Sequence, residues 1–143
     1  MPTENASATV AREPQPGKKY FTIAEANRAL PYITKVVADI TACYGEVVEL
    51  RRRIEAPGPE DQVETLEADY ERAMDQLSKL VDELHHVGVE LKDFEKGLVD
   101  FPAIHEGREV FLCWHCGEAM IQAWHEIDAG YASRQDVALL TDG

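Results

Sequence analysis

The stretch LVDFPAIHEGREVFLCW, residues 98–114, predicts the fold more strongly than any other part of the sequence. It contains two short segments, 98–104 and 108–114, that are rich in aromatic and branched residues. Such segments on either side of a tight Gly-containing turn are typical of a β-hairpin. We therefore predict an antiparallel hairpin in which Glu106 and Gly107 are the two central turn residues.

The apolar residues of this hairpin define its register. With the proposed turn, three apolar pairs lie opposite each other on one face: Val99 with Trp114, Phe101 with Leu112, and Ala103 with Val110. A slip of one residue would put Asp100 opposite Leu112 on that face, and burying the carboxylate there is costly. The hairpin is therefore expected to have one apolar face that packs against another layer.

Residues 119–127 are compatible with either a helix or a third strand. Ala, Met and Gln favour a helix. As a strand, the segment would set Ile121 opposite Leu112 and Ala123 opposite Val110, which extends the apolar face. We favour the strand, and hence a three-stranded meander, because its register agrees with that of the hairpin.

This strand alignment also predicts where the polar residues lie. Arg108 and His125 are expected to meet at one end of the inner face, and Trp124 is expected on the opposite face, exposed to a partner or a flat ligand. The outer face is expected to carry Asp100, Cys113, His115 and Glu118.

Two amphipathic helices are predicted before the sheet. Apolar residues recur at intervals of three and four between residues 30 and 54 and again between 63 and 87. Thr22 and Glu25 match a capping box at the start, and Pro31 is expected to kink the first helix or to begin it anew. A loop rich in Pro and Gly separates the helices, and Gly88 can cap the C-terminus of the second helix. These features predict a long antiparallel helical hairpin, similar to a coiled coil.

The predicted fold is thus α+β, with the helical hairpin packed against a small C-terminal antiparallel β-hairpin or three-stranded meander. Residues 1–19 are expected to be a disordered tail. Residues 20–143 are expected to form one domain, divided into the helical hairpin (20–88), the sheet region (89–128) and an irregular tail (129–143). Because a thin sheet cannot cover such long apolar stripes, we also expect a homo-oligomer, a homodimer or larger.

Composition restricts the possible environment and partners. The 143 residues carry a formal charge of −13, which argues against nucleic acid as the main partner because phosphate would be repelled. No apolar run is long enough to span a membrane, and the N-terminus lacks the apolar core of a secretory signal. Three cysteines are an odd and sparse set that suits a reducing cytoplasm.

The pair Cys113 and Cys116 has the spacing of a zinc knuckle, in which two thiolates on a turn bind one ion. No second cysteine pair exists, so other side chains would have to complete a tetrahedral site: His115, His125, Asp100 or Cys43. A thioredoxin-like redox pair is disfavoured because the pair does not follow the first strand of a βαβ unit. We favour two reduced cysteines and no cofactor, with zinc or iron binding as the alternative.

A second group of residues could bind an anion or perform acid–base chemistry if partly desolvated: Asp100, Arg108, Glu118, His125 and Glu126. Structural ion pairs at the strand ends are the simpler interpretation. A small enzyme that uses Glu118 and His125 is a further alternative, and it requires that these two side chains meet.

Several short motifs resemble one known family. They include Gly97–Pro102, Gly107–Val110, Leu112-Cys113-Trp114, Gly117-Glu118 and Trp124-His125-Glu126, together with Tyr20-Phe21-Thr22 and Leu30-Pro31 near the beginning. Over residues 20–135 the chain resembles the bacterial proteins called domain of unknown function 2203.

The resemblance implies a bacterial cytoplasmic protein and supplies no activity. In the family pattern His115 and Cys116 occupy unconstrained positions, which weakens the zinc hypothesis. The motif residues are then the binding candidates: Asp100, Arg108, Glu118, Trp124 and His125. Taken together, the sequence favours a non-catalytic binding or protein-interaction module that self-associates.

Overall fold

The structure, a computed structural model, describes residues 12–129 and 133–140. It has an α+β architecture, as predicted, with two helices followed by an antiparallel sheet in the order β1-β2-β3-β4-β5. The elements are α1 (Ile23–Glu55), α2 (Val63–His86), β1 (Glu90–Asp93), β2 (Leu98–His105), β3 (Arg108–His115), β4 (Ala123–Glu126), β5 (Gln135–Asp136) and a 3-10 turn (Val137–Leu139). Of the two expected tails, residues 1–11, 130–132 and 141–143 lie outside the described part of the chain.

The helix α1 begins at the predicted capping box. The Thr22 hydroxyl accepts a hydrogen bond from the Glu25 amide at 3.0 Å, and the Thr22 amide donates to the Glu25 carboxylate at 2.9 Å. The helix continues through Pro31 and is 33 residues long in total, about 50 Å at 1.5 Å per residue. It does not begin anew at the proline, so this one of the two alternatives expected for Pro31 is wrong.

The helix α2 ends in a Schellman motif at Gly88. The Gly88 amide donates to the carbonyl of His85, and the Val89 amide donates to the carbonyl of Leu84. Gly88 has a φ of +89°, the left-handed conformation that this motif requires and that glycine adopts without strain.

Residues near the start of α1 contact residues near the end of α2, and residues near the end of α1 contact the segment just before α2. Near the start of α1 the Tyr32 hydroxyl donates to Glu83, farther along Cys43 Sγ lies 3.3 Å from the carbonyl of Ala73, and near its end Arg53 pairs with Asp61. The apolar stripes of the two helices are buried between these contacts, including Leu50, Leu66 and Leu77. No helix in the described ranges has the length and apolarity needed to cross a bilayer.

The hairpin of β2 and β3 has the predicted register. Val99 pairs with Trp114, Phe101 with Leu112, and Ala103 with Val110. Glu106 and Gly107 have φ values of +51° and +78°, as expected of the two central residues of a tight hairpin turn. These apolar pairs form the inner face of the sheet and join the helices in one core.

Within the described residues the sheet has five strands, so the expected hairpin or three-stranded meander is too small. The strand β1 was missed because its sequence, ELKD, is short and highly charged. The strand β5 was missed because it has only two residues, both polar, within the segment expected to be irregular.

The predicted alignment of β4 is wrong by three residues. Leu112 pairs with Trp124 instead of Ile121, and Val110 pairs with Glu126 instead of Ala123. Ile121 precedes the strand, where its amide donates to Asn27 Oδ1 at 2.8 Å and its side chain is buried. Because three is an odd number, the shift exchanges the faces of every residue in β4.

Candidate metal centre

Three side chains from three adjacent strands converge on the outer face of the sheet. Asp100 comes from β2, Cys113 from β3 and His125 from β4. Asp100 pairs directly with Cys113 on the neighbouring strand. His125 pairs with Phe111, so it lies diagonally across from Cys113. One potential ligand atom from each residue lies within 4.8 Å of the other two.

All three of these side chains are buried, with exposed fractions of 2% for Asp100, 0% for Cys113 and 4% for His125. Burial of a carboxylate, a thiol and an imidazole together is costly unless the groups satisfy one another or bind an ion. The cluster therefore requires a physical explanation, which its internal hydrogen bonds provide in part.

The ring of His125 is held at both nitrogens. Its Nδ1 lies 2.7 Å from the carbonyl oxygen of Glu126, and a carbonyl can only accept, so Nδ1 carries the hydrogen. Its Nε2 lies 3.1 Å from both carboxylate oxygens of Asp100. In metal-binding histidines, a hydrogen bond from one ring nitrogen to a backbone carbonyl fixes the tautomer and directs the other nitrogen toward the ion.

The contacts of His125 form a charged pair with Asp100. Burial alone would lower the pKa of His125, but the hydrogen bonds to Asp100 and to the Glu126 carbonyl raise it by more. The imidazolium of His125 then donates to the Asp100 carboxylate. The two buried charges of the cluster are thus paired with each other.

Cys113 is unsuited to act as a nucleophile. Burial and the nearby Asp100 charge raise the pKa of its thiol to about 11, although Arg134 opposes the shift. Both nitrogens of His125 are engaged elsewhere, so this ring is not available as a base for the thiol. What the arrangement can do chemically is hold a cation that replaces the thiol and imidazolium protons.

Arg108 does not meet His125, and that expectation is wrong. Its guanidinium binds the Glu126 carboxylate through Nε at 3.0 Å and Nη2 at 2.6 Å. This contact lowers the pKa of Glu126 and raises that of Arg108. The shifted alignment of β4 explains why Arg108 binds Glu126 and not His125. It places Glu126 on the same face as Arg108 and His125 on the opposite face.

Trp124 is buried in the core with 3% of its surface exposed, so the expectation of an exposed ring is wrong. It packs against His105, with ring centres 5.1 Å apart. The face exchange in β4 again provides the reason, since Trp124 pairs with Leu112 on the inner face.

Glu118 lies beside the cluster and has other partners. One carboxylate oxygen accepts the His115 amide at 3.0 Å, and the other lies 3.3 Å from the Arg134 guanidinium. No hydrogen bond joins Glu118 to His125 among the described residues. The direct pair that a small enzyme was expected to use is therefore not formed.

The structure separates the two cysteines that the sequence suggested as joint ligands. Cys113 belongs to the cluster, whereas Cys116 lines a different cavity of about 590 Å³ together with His115, Asp93, Lys96 and Leu98. Of the residues considered for zinc, the structure brings together Asp100, Cys113 and His125. It leaves Cys116 and His115 outside the group.

A small cavity opens beside the cluster. It has a volume of about 200 Å³ and is lined by Asp100 and His125 together with Lys92, Leu98, Phe111, Ile127 and Ala129. The Lys92 ammonium lies 5.2 Å from the centre of the Phe111 ring and 2.9 Å from a Glu90 oxygen. The cluster therefore adjoins a space large enough for a small molecule.

A second buried acid on the outer face was not singled out from the sequence. Glu109 is only 1% exposed and binds three residues near the N-terminus: Arg12 at 3.1 Å, Lys18 at 3.0 Å and the Tyr20 hydroxyl. The strand alternation places Glu109 on this face, but nothing in the local pattern indicates partners about ninety residues away.

Comparison with known proteins agrees with the motifs. A family model described as an uncharacterised conserved protein, DUF2203, matches residues 19–137. The chain belongs to this family. All three residues of the cluster lie inside the part that DUF2203 covers, and the family description assigns them no role. No curated protein and no solved structure matches the chain.

Proposed function

We propose that this DUF2203 protein binds a divalent transition-metal ion, with zinc as the first candidate, through Asp100, Cys113 and His125. The observation that carries the proposal is the convergence of one oxygen, one sulfur and one nitrogen atom within 4.8 Å on three adjacent strands. Strands hold their side chains rigidly, and a rigid scaffold is what a preorganised metal site needs.

The chemistry of the three donors fits zinc. Zinc binds cysteine sulfur, histidine nitrogen and carboxylate oxygen, usually in a tetrahedron. With bonds of about 2.0–2.3 Å, neighbouring ligand atoms around such an ion are about 3.3–3.7 Å apart. The 3.1 Å between His125 Nε2 and the Asp100 carboxylate is close to these distances. The 4.8 Å limit for the whole group is about 1 Å longer than the upper value, so binding would draw the three ligand atoms together.

The charges also balance. A divalent ion bound to the Asp100 carboxylate, the Cys113 thiolate and a neutral His125 has no net charge, which reduces the cost of burying it. Three protein ligands leave one of four positions for water or a further ligand, which is typical of catalytic rather than structural zinc sites. The donor set therefore supports an ion that is accessible to a small ligand.

The test is elemental analysis of the protein purified without chelator, combined with matched variants. We expect about one equivalent of zinc per chain in the wild type and less than about a tenth in Cys113→Ala and His125→Ala. Cys116→Ala and His115→Ala are the controls, since both residues lie outside the cluster, and they should retain the metal.

A cobalt-substituted sample provides a second measurement if a variant fails to fold. Cobalt(II) bound by Cys113 should give a thiolate charge-transfer band in wild-type protein and in Cys116→Ala. A wild-type protein that takes up neither zinc nor cobalt would overturn the proposal. So would loss of the band in Cys116→Ala with retention in Cys113→Ala.

Self-association remains a separate prediction. It was argued from apolar stripes that a thin sheet cannot cover, but Leu50, Leu66 and Leu77 are buried within a single chain. The stripes thus give less reason for a homodimer than the sequence suggested. Gel filtration with light scattering at micromolar concentration tests it, and a stable monomer would contradict the prediction.

A further inference from the structure

We infer that the open position of the bound metal accepts a small carboxylate with a short apolar substituent, which occupies the 200 Å³ cavity beside the cluster. This inference rests on the proposed metal site and adds to it the chemical class of the ligand. Three features of the cavity support it: its position relative to the ligand atoms, the lysine in its lining and its apolar residues.

The cavity lies on one side of the proposed ion. Asp100 and His125 line it, whereas Cys113 does not. An ion bound by all three would therefore have its sulfur ligand directed away from the cavity and its oxygen and nitrogen ligands at the cavity wall. The remaining coordination position then faces the open space, where a ligand can reach it without displacing a protein side chain.

The cavity has a cation suited to a carboxylate. Lys92 extends from β1 across the outer face to the Phe111 ring and is 42% exposed, so its ammonium can move toward a ligand. Its present partner is Glu90, which is itself 36% exposed and pairs with it at the surface. A ligand carboxylate could then bind the metal with one oxygen and the Lys92 ammonium with the other, so each oxygen would have a positive partner.

The rest of the lining favours a hydrocarbon part in the ligand. Four of the seven lining residues are apolar: Leu98, Phe111, Ile127 and Ala129. An apolar cavity of about 150 Å³ is known to hold a molecule the size of benzene, so this cavity can hold a ligand of about six non-hydrogen atoms. Phosphate and sulfate have the charge but no apolar part to cover these side chains.

The experiment uses the cobalt-loaded full-length protein and follows the visible cobalt spectrum during titration with butyrate, acetate and inorganic phosphate. We expect a saturable spectral change with butyrate, weaker binding of acetate because it covers less apolar surface, and the weakest binding with phosphate. The spectrum reports the ligands of the ion directly and requires no assumption about catalysis.

Lys92→Gln is the informative variant. It should bind cobalt with unchanged stoichiometry and weaken butyrate binding about two- to fivefold, the range expected for a partly exposed charge pair. Lys96→Gln is the matched control, because Lys96 is a lysine of the connection between β1 and β2 that lines the other cavity. Its butyrate affinity should equal that of the wild type.

The outcomes separate this inference from the proposal on which it rests. Cobalt binding with no spectral response to butyrate would show a closed metal site and overturn the inference alone. Tighter binding of phosphate than of butyrate, or equal effects of the two lysine variants, would also overturn it. Failure to bind cobalt at all would overturn the metal site itself.

Discussion

His125 takes part in both proposed states of the site, the charged pair with Asp100 and the metal-bound form. Its Nδ1 donates to a backbone carbonyl, so only Nε2 can change partner, between the Asp100 carboxylate and a metal ion. From the sequence, Asp100 and Cys113 could be assigned to one face, because the hairpin register depends on a local two-residue turn. His125 could not be assigned, because its face depends on how many residues the preceding connection contains.

We predict that His125→Ala strongly destabilises the protein in the absence of bound metal. The substitution leaves the Asp100 carboxylate buried without its charged partner, and breaking a buried pair in this way costs about 3–5 kcal/mol. Urea unfolding in the presence of a chelator measures the loss.

The double variant Asp100→Asn/His125→Gln provides the comparison, since it removes both charges and should be less destabilised than His125→Ala. His115→Ala controls for loss of a histidine at the edge of the region. A loss below about 1 kcal/mol for His125→Ala would contradict the paired state.

The helix α1 approaches the sheet closely at Gly97, just before β2. This residue has a φ of +65°, and a Cβ atom built there would lie 2.7 Å from Val37 and 3.0 Å from Cys116. The sequence indicated that the apolar face of the hairpin must pack on helices. It gave no sign of which glycine permits the approach, because that depends on the relative position of α1 and the sheet.

We expect Gly97→Ala to destabilise the protein more than Gly107→Ala. Both glycines have positive φ, so both substitutions have a backbone cost of about 1–2 kcal/mol. Only at Gly97 does the new methyl group also collide with side chains, which adds about 1–3 kcal/mol of overpacking. Urea unfolding of the two variants measures the difference, and equal losses would show that α1 lies farther from the sheet.

Two long-range connections organise the whole molecule, and neither has a local sequence signal. The first joins Asn27 to Ile121 and accompanies the shifted alignment of β4. The second joins Glu109 to Arg12, Lys18 and Tyr20, so residues 12–20 are bound to the outer face of the sheet. Periodicity and turn residues predicted the helices and the first hairpin because those are local, whereas these connections span about ninety residues.

The Glu109 connection predicts a pH dependence of stability. Burial raises the pKa of Glu109, but hydrogen bonds from Tyr20 and Lys18 and the charges of Lys18 and Arg12 lower it by more. Its folded pKa is therefore below the ordinary value of 4.5. A depressed pKa contributes stability above the unfolded value, and that contribution is lost as the pH falls through the folded value.

We expect Glu109→Gln to lower the free energy of unfolding by about 1.5–3 kcal/mol at pH 7, the range for hydrogen bonds to a charged group. The difference between variant and wild type should shrink as the pH falls below 4.5, where the carboxylate of the unfolded chain takes up a proton, and it should vanish once the folded carboxylate is protonated as well. Comparing the two proteins removes the contribution of the other acidic residues. A difference that stays constant down to pH 3 would contradict the connection.

The metal site is tested most directly by a crystal structure of the zinc-loaded protein with anomalous diffraction measured on both sides of the zinc absorption edge. We predict one strong peak within bonding distance, about 2.0–2.3 Å, of Asp100, Cys113 and His125, at the edge of the small cavity. A peak at Cys116 and His115 instead, or no peak among the three residues in a zinc-saturated crystal, would contradict the account.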